Sequence, residues 1–137
     1  MKFRFLYIFV ISFALGIFAK DIYDRKEKKK INFSEWPQLN FKNVRVLIAS
    51  HPYLASQGFA GAEESEFENT IIIFPNIDKL QPIVFSNKNE GFGYVKKNIK
   101  IYYLDKNFRI IGKDIIKKET GISFPPSEST IAIEGLP

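Results

Sequence analysis

Three groups of residues have types and spacing that invite chemistry. Ser50-His51 places a hydroxyl beside the single histidine of the chain, the pairing of a nucleophile and its base. Glu63, Glu64, Glu66 and Glu68 form a carboxylate cluster of the kind that hard cations bind, and Asp105, Asp114 and Glu134 are separate acids that a fold can bring together as an acid–base pair. Each has a plainer reading. Adjacent residues seldom place their side chains for proton transfer and no Gly-x-Ser-x-Gly elbow surrounds Ser50, so Ser50 is read as a helix cap and His51 as a surface residue. A calcium loop also needs Asp and Asn ligands around a turning glycine, which the Glu cluster lacks; it is read as a solvated acidic loop. Asp105 is explained by a turn, and Asp114 and Glu134 share no motif. Gly91-Phe92-Gly93 lacks the third glycine, the following helix and the Lys-Ser/Thr pair of a phosphate loop, and reads as a β-turn or bulge. No catalytic residue, metal ligand or cofactor is expected. With no cysteine in the chain, disulfides, thiolate metal sites, cysteine nucleophiles and lipoprotein acylation are all excluded.

The elements that must position these residues are mostly strands. Asn98 to Ile111 alternates as Ile99, Ile101, Tyr103 against Lys100, Tyr102, Leu104, turns at Asp105-Lys106-Asn107, and resumes with Phe108 and Ile110, the pattern of a hairpin with one buried face. Asn43 to Ala49 reads as a strand with Val44, Val46 and Ile48 on one face and Arg45 and Leu47 on the other. Ser50 as cap, Pro52 in the first turn and Gly58 as terminator predict a helix from His51 to Gln57, followed by a loop pinned by Phe59. Thr70 to Phe74 is an apolar run ended by Pro75, predicting a central strand covered on both faces. Short strands are predicted at 83–85, 114–117 and 129–134, the last with Ile131 and Ile133 on one face, and Trp36-Pro37 marks an extended lead-in whose one Trp packs on the domain. The fold class expected is therefore mainly β, a small antiparallel sandwich or partly closed barrel with one short helix.

Charge divides the chain. Of its 20 basic and 15 acidic residues, positions 1–30 hold eight basic and three acidic, so the positions from Ile31 onward are balanced and no nucleic-acid partner is expected. Within that balanced part, Tyr94 to Lys118 carries eight basic residues against Asp105 and Asp114, whereas Ser50 to Gly93 is net acidic. At the start of the chain, a basic Met1 to Arg4 and an apolar Phe5 to Ala19 match a secretory signal, and this run is short for a membrane span, which needs about 20 residues. Ala19 or the Ala14-Leu15-Gly16 motif would serve a cleavage site; retention gives an N-terminal anchor. Positions 1–19 are read as signal peptide or anchor, 20–43 as charged linker and lead-in with membrane contact through 1–30, and 44–137 as the β domain.

In order along the chain, Ile48-Ala49, Gly58-Phe59, the run Ile71-Ile72-Ile73-Phe74-Pro75, Ile101-Tyr102-Tyr103-Leu104-Asp105 and Ile133-Glu134 together resemble the markers of the DUF192 (UPF0127) family of small bacterial and archaeal domains. The chain departs from that pattern at Gly91 to Tyr94, where the family carries Trp-Met-x-Asn, and at Asn98-Ile99-Lys100, where it carries Pro-Leu-Asp. The resemblance implies a compact β domain, often exported, with no established activity, and it lends no catalytic residue to this chain.

The function expected from these readings is an exported, periplasmic or extracellular, non-enzymatic β domain that acts as an interaction or scaffold module at the cell envelope. Its alternative is a hydrolase-like or carbohydrate-processing enzyme using a face of the same domain. The candidate binding residues are Tyr94, Lys96, Lys97, Lys100 and Tyr102, a basic, aromatic-lined face for an anionic envelope protein or glycan; strand alternation puts Lys100 and Tyr102 on one side.

Overall fold

The computed structural model describes residues 28–80 and 83–137. The expected signal or anchor at 1–19 and most of the charged linker lie outside the described residues. No helix among the described residues is long and apolar enough to cross a membrane.

The fold is mainly β. Strands β1 (Gln38–Phe41), β2 (Val44–Ile48), β3 (Thr70–Pro75), β5 (Ile99–Leu104), β6 (Ile110–Ile116) and β8 (Ile131–Gly135) form one sheet in the order β1-β2-β3-β8-β5-β6, while β4 (Phe85–Ser86) and β7 (Ile122–Ser123) make a two-stranded ribbon. The large sheet is open, with β1 and β6 at its two edges, and it is mixed rather than wholly antiparallel because β2 and β3 run parallel. A parallel pair cannot be joined by a tight turn, so the connection crosses over through residues 49–69. That crossover carries two short helices, α1 (Pro52–Gln57) and α2 (Glu64–Phe67), where the sequence predicts one. β3 lies centrally as expected, between β2 and β8.

Register explains which side is core. Leu47, Ile72, Glu134 and Ile101 form one row across β2, β3, β8 and β5, and Phe74, Ala132 and Tyr103 form the next. All seven are buried. The ribbon covers one end of this inner face: Phe85 meets Phe74 at 5.0 Å and Tyr103 at 5.9 Å, and the Tyr103 hydroxyl pairs with Ser123 at 2.7 Å. The other end is covered by the lead-in and crossover, where Phe33 contacts Trp36 and Phe59 edge-on and Phe59 stacks on Phe67. Such ring pairs add about 0.5–1.5 kcal/mol each beyond the area they bury.

Several local expectations are corrected. The lead-in is not simply extended: Trp36 packs on the domain as expected, but Phe33–Glu35 form a 3-10 turn, Phe33 is also a core residue, and β1 pairs with β2, so the packed unit begins upstream of Val44. His51, not Ser50, is the N-cap of α1, and neither side chain caps it. The Glu63–Glu68 segment carries the helix Glu64–Phe67, where the Glu66 side chain accepts from the Glu63 N–H and the Glu66 N–H donates to the Glu63 carbonyl. The strand near Ile83 is shifted to Phe85–Ser86. Phe108 belongs to the hairpin turn: its φ is +61° and its ring is 74% exposed, while Asp105 Oδ1 accepts hydrogen bonds from the backbones of Asn107 and Arg109. Residues 114–116 are the end of β6, not a further strand. In β8, Ile131 and Ile133 share a face as expected; that face is the half-exposed one, and the buried pair is Ala132 and Glu134.

Candidate functional site

A cleft of about 680 Å³ opens between α1 and the segment that carries β4, over the inner face of the sheet. Its body is apolar, with Phe59 from the crossover, Phe74 from β3, Leu80, Ile83 and Phe85 along the opposite wall, and Glu134 of β8 among them. Both walls are fixed by hydrogen bonds. The Asn89 side-chain amide donates to the Ser56 carbonyl at 2.8 Å, tying the β4 segment to α1, and its Oδ1 accepts from the backbones of Gly91 and Phe92. Gly91-Phe92-Gly93 is thus a turn held by an asparagine, as the sequence predicts.

Three polar side chains lining the cleft are buried: Gln57, Asn87 and Glu134. The first two are committed to the fold. Gln57 both accepts from the Ile31 N–H and donates to the Ile31 carbonyl, each at 2.9 Å, and so clamps the lead-in to α1. Asn87 donates to the carbonyls of Ile116 and Lys117 at 3.0 Å. Glu134 differs. It is 6% exposed, and among the described residues no side-chain hydrogen bond or ion pair reaches its carboxyl. Burial pushes its pKa up to about 8, so the group is a neutral acid at pH 7. Gly58, at the end of α1 with φ +51°, lies alongside: a Cβ built there would stand 3.6 Å from Glu134 Oε2. The absent side chain leaves that oxygen bordered by backbone.

The residues singled out from sequence are distributed differently. Lys100 and Tyr102 do share the outer face of β5, with the Lys100 ammonium 5.1 Å from the Tyr102 ring centre. Tyr94 and Lys96 are exposed in the preceding loop. Lys97 forms an ion pair with Glu64 of α2. His51 lines the cleft without contributing a cap, and no group of three or more His, Cys, Asp or Glu side chains among the described residues is placed to hold a metal ion. Of the acids, Asp105 is a turn residue and Asp114 is exposed on an edge strand opposite Ile101, so Glu134 alone is set in a cavity.

In the sequence Glu134 is one of three candidate acids and is set aside because it shares no motif with Asp114, while Ile131 and Ile133 dominate its strand. The outer face of the central sheet is itself apolar, with Val46, Ile71, Ile73 and Ile133 half-buried, so apolarity does not identify the inner side. The usable signal is the register with small Ala132, which lies between Phe74 and Tyr103 where bulk is already supplied.

No family model matches the chain, and no curated protein matches it. Among solved structures, it is similar to a crystal structure of a protein of unknown function from Novosphingobium aromaticivorans DSM 12444, at 11% sequence identity and a TM-score of 0.51, covering 72% of this chain and 70% of the other. At that identity the likeness establishes a shared fold.

Proposed function

We propose that this chain is a divergent DUF192-type domain, exported to the cell envelope, which acts by binding rather than by catalysis, and that its cleft takes an apolar ligand. The observation that carries this reading is a 680 Å³ cavity of the size usual for small-molecule sites, lined chiefly by aromatic and aliphatic side chains with a single uncommitted buried polar group. Glycoside hydrolysis in its usual form needs two opposed carboxyl groups. The cleft offers one buried acid, Glu134, with Glu90 exposed at the rim. Export rests on the basic start and apolar run of residues 1–19. The outer face bearing Lys100 and Tyr102 is the place proposed for an anionic envelope protein or glycan, so that ligand capture and scaffolding use opposite sides of the sheet.

The ligand reading is tested with the neutral probe Nile red. Saturable fluorescence enhancement at one probe per chain is expected, and Ala55→Phe, which sets a ring into the cleft from α1, should abolish it. Unsaturable enhancement, or enhancement that survives Ala55→Phe in a folded protein, contradicts the proposal. Export is tested separately by intact mass of the protein recovered outside the cytoplasm. Loss of residues 1–19 or 1–16 indicates cleavage, full mass in the membrane fraction indicates an anchor, and recovery only from the cytoplasm contradicts export.

A further inference from the structure

We infer that the cleft selects the head of its ligand, taking an uncharged apolar molecule whose polar end is a hydrogen-bond acceptor, such as a ketone, ester or amide carbonyl, and receiving that end on the Glu134 carboxyl. This rests on the cleft being the ligand site and adds the chemistry of what enters it. The carrying observation is placement. Glu134 occupies the middle of a row whose other buried members are Leu47, Ile72 and Ile101, all with no exposure. A carboxyl in such a position, opening onto the cleft and hydrogen-bonded by no group among the described residues, costs free energy that an aliphatic side chain would not, and buried polar groups in folded proteins nearly always have partners. Here the missing partner has a route in, because Glu134 lines the cleft and Gly58 beside it carries no side chain to cover Oε2.

The character of the head follows from what surrounds the acid. The other ionisable side chains of the cleft are Lys28, His51, Tyr53, Lys88 and Glu90, and Tyr103 stands two residues along β5 from Ile101; none of them hydrogen-bonds Glu134. Desolvation therefore governs the group and keeps its proton on at neutral pH, which makes it an O–H donor looking for an acceptor. A cationic head would have to displace that proton and leave water itself, and the attraction gained in a buried pair is largely cancelled by desolvating both charges. An anionic head would have to leave water for an apolar floor where, among the described residues, neither Lys28 nor Lys88 of the cleft is hydrogen-bonded to Glu134.

Three decyl-sized probes separate these cases: 2-decanone, decylamine and decanoate, titrated calorimetrically at pH 6.5 and pH 9.5 into wild-type protein and into Glu134→Gln, with circular dichroism to verify folding. The expected result is that 2-decanone binds wild type at least tenfold more tightly at pH 6.5 than at pH 9.5, and more tightly than either charged probe. In Glu134→Gln, whose amide still donates, its affinity should not change between the two pH values. His51→Ala should leave the wild-type pH dependence in place. Tighter binding of decylamine with release of one proton overturns the inference in favour of a cation site. Equal affinity for all three heads, or a 2-decanone affinity insensitive to both pH and Glu134→Gln, also overturns it while leaving an apolar cleft standing. Binding of none of the probes, together with no saturable Nile red site, removes the ligand reading and this inference with it.

Discussion

Glu134 on β8 stands directly across from Ile101 on β5, and both point to the inner side of the sheet. One is an acid that borders a cleft and has no hydrogen-bond partner among the described residues, and the other is a fully buried isoleucine. Their pairing makes the centre of the sheet the place where stability and the proposed function meet.

Replacing Ile101 by Asp would set a second carboxyl opposite Glu134, where no cation among the described residues pairs with that acid. The cost of an unpaired buried charge is about 3–5 kcal/mol, a large share of the about 5–15 kcal/mol that holds a typical domain together. Ile101→Asp is expected to be unfolded by circular dichroism at 25 °C. His51→Ala should be folded with a midpoint within about 0.5 kcal/mol of wild type, since the exposed imidazole caps nothing.

Glu134 also sets a pH dependence. Its carboxyl titrates near 4.5 when unfolded and is pushed up to about 8 by burial in the folded chain, so between these values the native state holds a proton that the unfolded state has lost. Stability from this group is therefore highest at low pH, falls as pH rises from about 4.5 to 8, and levels off above. The fall amounts to a few kcal/mol, because each tenfold difference in proton affinity between the folded and unfolded chain is worth about 1.4 kcal/mol. Urea unfolding of wild type and Glu134→Gln from pH 4.5 to 9 should show curves that diverge through that window, with the variant the more stable at the alkaline end. Parallel curves would contradict the assignment.

The fold was legible in the sequence to the extent that strand periodicity is local. The alternation of Ile99, Ile101 and Tyr103 marks a half-buried strand whatever its neighbours, and β5 has that burial. What could not be read locally is pairing at a distance. The parallel β2–β3 contact depends on a crossover, and β1 is a strand because β2 offers it an edge. The same limit hid the site: Glu134 becomes unusual only once Ile72 and Ile101 flank it and Gly58 lies beside it. Lys97 illustrates the converse, since its charge looked available in sequence but is engaged by Glu64, 33 residues earlier.

Gln57→Ala tests whether the lead-in belongs to the folded unit. The substitution leaves the N–H of Ile31 without its partner and its carbonyl with the Trp36 indole N–H alone, at about 1–3 kcal/mol for a group left unsatisfied where it stays buried. A lowered urea midpoint is expected, with faster proteolysis ahead of Phe33. An unchanged midpoint would mean that the clamp contributes nothing.

Calcium should not alter the thermal midpoint. Glu66 is held by Lys30 at 2.7 Å and, although burial acts to raise its pKa, the Lys30 and Glu63 hydrogen bonds and the charges of Lys30 and Arg45 bring it below the ordinary carboxylate value. Glu64 is paired with Lys97. With those two carboxylates engaged, scanning calorimetry in EDTA and in excess calcium should coincide; a rise of several degrees with calcium would show that the cluster reorganises around the ion.

The most direct measurement is the titration of the Glu134 carboxyl carbon by NMR, with the resonance assigned through Glu134→Gln. A protonated acid at pH 7 and a midpoint near 8 are predicted, the midpoint moving further up when 2-decanone is bound, because the ligand accepts from the protonated form alone. A midpoint near 4.5, with no response to the ketone, would mean that water reaches the carboxyl, and that the cleft has no neutral acid with which to hold a ligand.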